Sequence, residues 1–357
     1  MLDTQVFFNK LVEQKYTHLC VVPCSFAKDI INASLNNDHL IEYVPCASEA
    51  VACSVAAGLK MAGHSPIVIV QSSGLTNMAS CITSLLIPYE ICFPIVTSWR
   101  TYESGDSEIQ HKHLATKLPE LIAAYGYDHE ILDKKNIDLA INQINNARNN
   151  KMICILEKET FSNVVLDGHH KLDLSSYIPR SKYLSVLNDK FKHGDDLCIG
   201  TTGNTSREMY SFMPDTNNFY MAGNMGGALS LGLGAAKGGK KVLICGGDAE
   251  FVMHLGGMST AGRYKNEIDL TYILFDNESN KSTGGQNTYQ QHIDYVGLAK
   301  NSGFYTMGGI IDSIASFNKA LVLTESNTGA KFLYVKCGYD DETPRPPLES
   351  IKVSTFS

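Results

Sequence analysis

The chain has 357 residues, enough for two ordinary domains that each bury a core of their own. With 44% hydrophobic residues, 19% charged residues and a net charge of −7, it reads as globular and offers no basic stripe for nucleic acid, so an anionic ligand must be held by local cations. No apolar run spans a bilayer and the amino terminus lacks the basic-then-apolar order of a signal peptide, which predicts a cytoplasmic protein without a membrane partner.

The first half opens with an amphipathic helix over Thr4 to Glu13, then short strands at Leu19 to Val22 and Glu42 to Pro45. The next helix, from Ser48 through Gly58, is built of unusually small residues, and Glu49 is a carboxylate at its start; the helix dipole alone already favours an acid there. A buried strand at Pro66 to Val70 runs into Gln71-Ser72-Ser73-Gly74-Leu75-Thr76-Asn77. Such a polar turn at a strand's carboxyl end either presents Ser73, Gly74 and Asn77 to a ligand or simply connects to a helix over Met78 to Leu86 capped by Ser73 or Thr76. A further strand, Phe93 to Ser98, delivers Trp99-Arg100, and a polar loop follows through Ser107, Glu108, Gln110 and His111. The ten cysteines include no Cys-x-x-Cys pair and mostly sit in apolar runs, as Cys20, Cys154, Cys198 and Cys245 do, which predicts reduced, buried thiols.

The apolar pattern breaks between about residues 164 and 182, so the expected organisation is a first domain over 1–170, a linker over 171–182 and a second domain over 183–357. Leu197 to Gly200 is a strand opening into Thr201-Thr202-Gly203-Asn204-Thr205-Ser206-Arg207, where hydroxyls and a guanidinium near a helix start suit an anion, or else Arg207 pairs with a nearby acid. Gly223-Asn224-Met225-Gly226-Gly227 precedes another small-residue helix; as a bare feature Met225 is core packing. Two apolar runs, Lys241 to Cys245 and Asp269 to Phe275, end in Gly247-Asp248-Ala249 and Asp276-Asn277, with helical spacing between them from Phe251 to Arg263. A strand, helix, strand unit of this kind sets Asp248 beside Asn277 at the carboxyl ends of adjacent parallel strands. One carboxylate oxygen, one amide oxygen and the backbone carbonyl of Ser279 are hard oxygen ligands for a magnesium-sized cation.

Several ordered stretches together resemble the phosphonopyruvate and sulfopyruvate decarboxylase group of thiamine-diphosphate enzymes. They are Ser48-Glu49-Ala50, the Gln71 to Asn77 turn, Trp99-Arg100, Glu108 with Gln110-His111, Thr205 to Glu208, Asn218 to Met221, Met225-Gly226, the Asp248 to Asn277 spacing and Ser282-Thr283-Gly284-Gly285-Gln286. The resemblance implies an α/β chain of two doubly wound parallel-sheet domains, one binding the cofactor's pyrimidine and one its diphosphate, with no middle domain. It implies thiamine diphosphate and Mg2+ as cofactors and a homodimer or larger homo-oligomer with interface active sites. In that family the acid at the place of Glu49 bonds the aminopyrimidine ring nitrogen, and the methionine at the place of Met225 supports the bent cofactor. Gly223, Asn224, Gly247, Asp248, Ala249 and Asn277 fall in its cofactor motifs.

The implied reaction is non-oxidative decarboxylation of a small anionic 2-oxo acid, with phosphonopyruvate to phosphonoacetaldehyde and CO2 leading and sulfopyruvate, another acidic 2-oxo acid or a carboligation as the alternative. Arg100, Arg207 and Lys281 are the candidates for the substrate anion, and His111 for proton handling. Three departures bear on this. Ala249 replaces a usual glycine, which is tolerable only at negative φ; Asn280-Lys281 stands where relatives commonly have His-Asp; and Ser107-Glu108-Ile109-Gln110-His111 lacks an Asp and a Pro that are common there. A regulatory protein that kept the fold without the chemistry would have lost Glu49 or an oxygen ligand, and none is lost. A nicotinamide-binding oxidoreductase is disfavoured, because Gly223 to Gly227 has no Gly-x-Gly-x-x-Gly directly after a strand.

Overall fold

In a computed structural model of the chain, residues 1–102, 109–340 and 342–344 are described. They form two compact units, Met1–Lys171 with Asn280–Asn287, and Leu172–Ser279 with the chain from Thr288 onward. Among the described residues no helix is long and apolar enough to cross a membrane.

The first unit is built on six parallel strands: β1 (His18–Val21), β2 (Glu42–Pro45), β3 (Pro66–Gln71), β4 (Ile95–Ser98), β5 (Asp128–Ile131) and β6 (Met152–Leu156). Their order is β2-β1-β3-β4-β6-β5. β3 and β4 are continuous apolar or small-residue runs because helices cover both faces of a parallel sheet. β4 starts two residues later than the apolar run suggests, since Pro94 has no N–H to give the ladder. The helix Glu49–Met61 starts where Ser48 accepts a hydrogen bond from Val51 N–H, and its small face of Ala52, Cys53, Ala56 and Ala57 is buried in the core around β1 and β3.

After β3 the chain becomes helical at once, over Ser72–Leu75, then narrows to a 3₁₀ turn (Thr76–Met78) and widens to a π segment (Ile82–Leu86). Neither Ser73 nor Thr76 caps a separate helix, so the alternative of a simple capped connection does not hold. Thr76 Oγ1 instead donates back to the Ser73 carbonyl at 2.6 Å, and Ser73 Oγ accepts from Gln71 Nε2 at 2.8 Å.

The second unit repeats the plan with β7 (Leu197–Gly200), β8 (Asn217–Tyr220), β9 (Lys241–Gly247) and β10 (Asp269–Asp276). Two-residue strands β11 (Ser279–Asn280) and β12 (Gln286–Asn287) pair with each other, β12 lying in the segment that groups with the first unit, and β13 (Tyr305–Ile311) and β14 (Gly329–Lys336) complete the second. The large sheet is again all parallel, in the order β13-β14-β10-β9-β7-β8. Read from its other end this is β8-β7-β9-β10-β14-β13, the same succession as in the first unit. In each sheet the winding reverses between the first and third strands of the unit, β1 and β3 or β7 and β9, which is where such sheets bind ligands.

The single helix expected over Phe251 to Arg263 is two. One runs Asp248–Met253, beginning directly after β9, and the other Gly256–Arg263, with His254 at φ −129°, ψ 51° between them. The consecutive glycines Gly256 and Gly257 have the least to gain from helical backbone, and the chain breaks just before them. All ten cysteines are free thiols, and Cys20, Cys154, Cys198 and Cys245 are buried.

Candidate active site

In the first unit, two polar clusters stand beyond the carboxyl ends of the strands. Glu49 is buried at the first turn of its helix, and Asn77 Nδ2 donates to its Oε2 at 2.9 Å. Gly74 lies under the same carboxyl group: a β-carbon there would stand 2.2 Å from Glu49 Oε1. The dipole reading of Glu49 accounts for an acid at this position but not for a buried carboxylate clamped by a side chain from another segment.

The second cluster spans the winding reversal between β1 and β3. Arg100 Nη1 donates to Ser25 Oγ, just after β1, at 3.1 Å and to Gln71 Oε1, the end of β3, at 3.3 Å, while its guanidinium lies over the Phe26 ring at 4.7 Å. An arginine only donates, so this contact fixes Gln71 with its oxygen toward Arg100 and its nitrogen toward Ser73 and His111. Gln71 Nε2 therefore donates to His111 Nε2 at 3.2 Å, leaving the imidazole proton on Nδ1. Both Arg100 and His111 are 9% exposed. The polar connection expected between them includes Ser107 and Glu108, which lie outside the described residues.

In the second unit, the ladder pairs Gly247 of β9 with Phe275 of β10, so Asp248 leaves β9 level with Asp276, and Asn277 follows one residue later at the end of the neighbouring strand. Asp248 opens its helix, is 3% exposed, and accepts from Thr288 Oγ1 at 3.0 Å. Burial, then the neighbouring Asp276, pushes its carboxyl up to about 7. The surrounding acids have cations: Asp276 and Glu278 share Lys336, and Glu208 is bound by Arg180 through two bonds of 2.8 and 2.9 Å. Among the described residues Asp248 forms no ion pair. Asn277 Oδ1 accepts from Ser279 N–H at 3.1 Å, and Ser279 Oγ is buried without a partner among the described residues.

The remaining expected residues are placed as follows. Ala249 lies inside the helix Asp248–Met253 and is not among the non-glycine residues of positive φ, so the missing glycine costs nothing. Gly223, Asn224 and Met225 form an exposed turn after β8, in which Asn224 has φ 57° and Gly226 φ 92°. Met225 is 38% exposed, which excludes core packing. Arg207 is half-buried on the helix Asn204–Phe212; the buried acid beside it, Glu208, belongs to Arg180. Lys281 is half-buried in a short turn that groups with the first unit.

These residues fit thiamine diphosphate and a divalent cation. Gly74 leaves the space Glu49 occupies, and Asp248 is a buried carboxylate without an ion pair among the described residues. Thr201 Oγ1 and Thr202 Oγ1, just after β7, are buried hydroxyls without partners among the described residues. No group of three or more His, Cys, Asp or Glu that could hold a metal occurs among the described residues. A cation at Asp248 would therefore rely on one carboxylate with amide and carbonyl oxygens, a sparse hard set that leaves room for water and a diphosphate.

Sequence reasoning passed over three residues here: Gln71 as the fixed amide between Arg100 and His111, Thr288 on Asp248, and Glu250. Glu250 is 4% exposed, accepts from Tyr272 OH at 2.9 Å and from Ala228 N–H at 3.3 Å, and is pushed up to about 7 chiefly by burial. Its place two residues after Asp248 was the available signal.

Residues 3–114 match the N-terminal TPP binding domain of thiamine pyrophosphate enzymes, and residues 199–330 match their C-terminal TPP binding domain. Over 95% of this chain and 89% of the relative, the sequence is 26% identical to a phosphonopyruvate decarboxylase of Streptomyces viridochromogenes. A phosphonopyruvate decarboxylase of Streptomyces hygroscopicus is 26% identical over 87% of this chain and 82% of the relative. The sulfopyruvate decarboxylase subunit beta of Methanococcus maripaludis is 31% identical over 40% of this chain and 76% of that subunit.

Proposed function

The chain belongs to the thiamine pyrophosphate enzymes, and from that membership we propose that it decarboxylates an acidic 2-oxo acid without oxidation, phosphonopyruvate being the leading substrate and phosphonoacetaldehyde and CO2 the products. The observation that carries the reading is Asp248: a buried carboxylate without an ion pair among the described residues, at the end of a parallel strand whose neighbour leads into Asn277, inside the matched C-terminal domain.

In this reading Asp248, Asn277 and the Ser279 carbonyl hold Mg2+, and Thr288 keeps the Asp248 carboxylate turned toward it. Glu49, steadied by Asn77, holds the proton at the aminopyrimidine ring nitrogen. Ser73, Gly74, Gly223, Asn224, Gly247 and Ala249 line the cofactor's seat, and Met225 supports it from the exposed turn. Thiamine diphosphate, when bound, supplies the electron sink that takes the pair left by departing CO2. Arg100, Arg207 and Lys281 hold the substrate's anionic end, and His111, oriented by Gln71, is the group that handles a proton. The working unit is a homodimer or a larger homo-oligomer.

Phosphonopyruvate leads because the similarity to its decarboxylases runs through most of both chains. Sulfopyruvate is the second reading, favoured by the higher identity to a sulfopyruvate decarboxylase subunit. The test is release of CO2 and aldehyde from phosphonopyruvate, sulfopyruvate and pyruvate, each with Mg2+ and thiamine diphosphate. Turnover of phosphonopyruvate that vanishes without either cofactor is the expected result. Cofactor binding without turnover of any of the three would overturn the substrate assignment and point to another 2-oxo acid or a carboligation.

A further inference from the structure

The helix Ala228–Lys237 begins at Gly227 with no side-chain cap of its own and no acid in its first turn. Its first N–H groups and positive dipole end therefore need satisfaction from outside. Glu250, on the following helix, gives it: Oε1 accepts from Ala228 N–H at 3.3 Å, and Oε2 is held by Tyr272 OH at 2.9 Å. Space for this arm is built into β9, since a β-carbon on Gly246 would stand 2.0 Å from the Tyr272 hydroxyl. The turn just before the helix carries Asn224 and Met225. It is closed by Gly227 N–H to the Asn224 carbonyl at 3.0 Å, and Gly226 adopts φ 92° where a β-carbon would meet Met253 at 2.9 Å.

We propose that Glu250, braced by Tyr272, is the positioning residue that fixes the Asn224–Met225 turn and through it the seat of the cofactor. The inference rests on the cofactor reading above. Glu250 touches neither cofactor nor substrate; it sets the backbone that does. Without it the Ala228 amide loses its acceptor and the turn just before it loses that tie to the neighbouring helix.

The test has two arms. On cofactor-free protein, amide hydrogen exchange at Gly226 to Ala228 is compared among wild type, Glu250→Ala, Glu250→Gln and Tyr272→Phe. On the same proteins with Mg2+, thiamine diphosphate affinity is measured by calorimetry, and kcat and KM are measured after saturation. Glu250→Ala should speed exchange at these amides and weaken cofactor binding roughly tenfold or more, because a misplaced binding element forfeits affinity steeply, with KM for the 2-oxo acid unchanged. Glu250→Gln, which keeps an acceptor for Ala228 N–H, should stay within about threefold of wild type in affinity. Tyr272→Phe should fall between the two.

Wild-type exchange and affinity in folded Glu250→Ala would overturn the proposal, as would a lowered melting temperature with neither readout changed, the signature of a purely structural residue. If Glu250→Ala does not fold, the proposal stands or falls on faster Ala228 exchange in Tyr272→Phe. Absence of thiamine diphosphate binding by wild type would defeat the cofactor reading itself; the exchange arm, read without cofactor, separates that failure from this one.

Discussion

Gly74 and Glu49 are in a relation of exclusion: the carboxyl group of one occupies the volume a side chain on the other would need, with Oε1 2.2 Å and Cδ 2.5 Å from the position of a β-carbon. The atoms in conflict are the far end of a flexible side chain, not backbone. Gly74→Ala should therefore leave the fold intact and displace the carboxylate. Steady-state kinetics should show kcat reduced by roughly 100-fold or more with circular dichroism unchanged, as expected when a proton-handling group is mispositioned.

Glu49→Gln tests the same group without moving it. The amide still accepts from Asn77 or donates to a ring nitrogen but holds no transferable proton. Calorimetry should find thiamine diphosphate bound nearly as tightly as by wild type, while kcat falls by roughly 100- to 10,000-fold. Full activity would remove Glu49 from the mechanism.

Asp248→Asn separates stability from function. Folding raises this carboxyl from its ordinary 3.8 to about 7, mainly through burial. A group whose value is raised on folding favours the folded state below its unfolded value, and that contribution is lost as pH climbs through the folded one. Metal-free wild type should thus lose stability between about pH 4 and pH 7 from this group. Asp248→Asn should lose less, melting higher than wild type at pH 7.5 without Mg2+. The same variant should show no Mg2+-dependent cofactor binding, so the order of melting temperatures should reverse when both cofactors are added.

Cys81 provides a pH-dependent readout in the first unit. A hydrogen bond from the Cys53 thiol, aided by Ser54 and opposed by partial burial, lowers its thiol to about 7. Ser54 Oγ lies 3.6 Å from Cys81 Sγ. The rate of iodoacetamide labelling at Cys81, followed by mass spectrometry, should rise to half its maximum near pH 7, and buried Cys53 should stay unlabelled.

Arg100→Met keeps a long apolar stem over Phe26 while removing the cation that ties Ser25 to Gln71. KM for the anionic substrate should rise by roughly tenfold or more, since a charged hydrogen bond to an anion is among the stronger single contacts. Cofactor affinity should barely change. Unchanged KM would shift the anion to Arg207 and Lys281.

What could be read from the sequence was whatever repeats at short range. Uninterrupted runs such as Lys241 to Cys245 and Asp269 to Phe275 gave both strands, and the observed register sets Asp248 level with Asp276, one residue short of the expected Asn277. Ser48 announced its helix as an N-cap should. Hidden from view were contacts between distant segments and local changes of helical pitch. No pattern foretold that Gln71 would be oriented by Arg100, that Glu250 would cap a helix begun at Ala228, or that residues 72–86 would pass through three helical pitches. The break at His254 was misread because Met253, Leu255, Met258 and Ala261 keep helical spacing across it; periodicity reports which side chains are apolar, not whether the backbone between them is continuous.

The two units share one strand succession, and with it one place in each sheet where the winding reverses. On the proposed roles they divide the labour: the first carries the acid that holds a proton, and the second carries the oxygen set for a cation. Neither carries both. On that reading a lesion confined to either unit silences the whole chain.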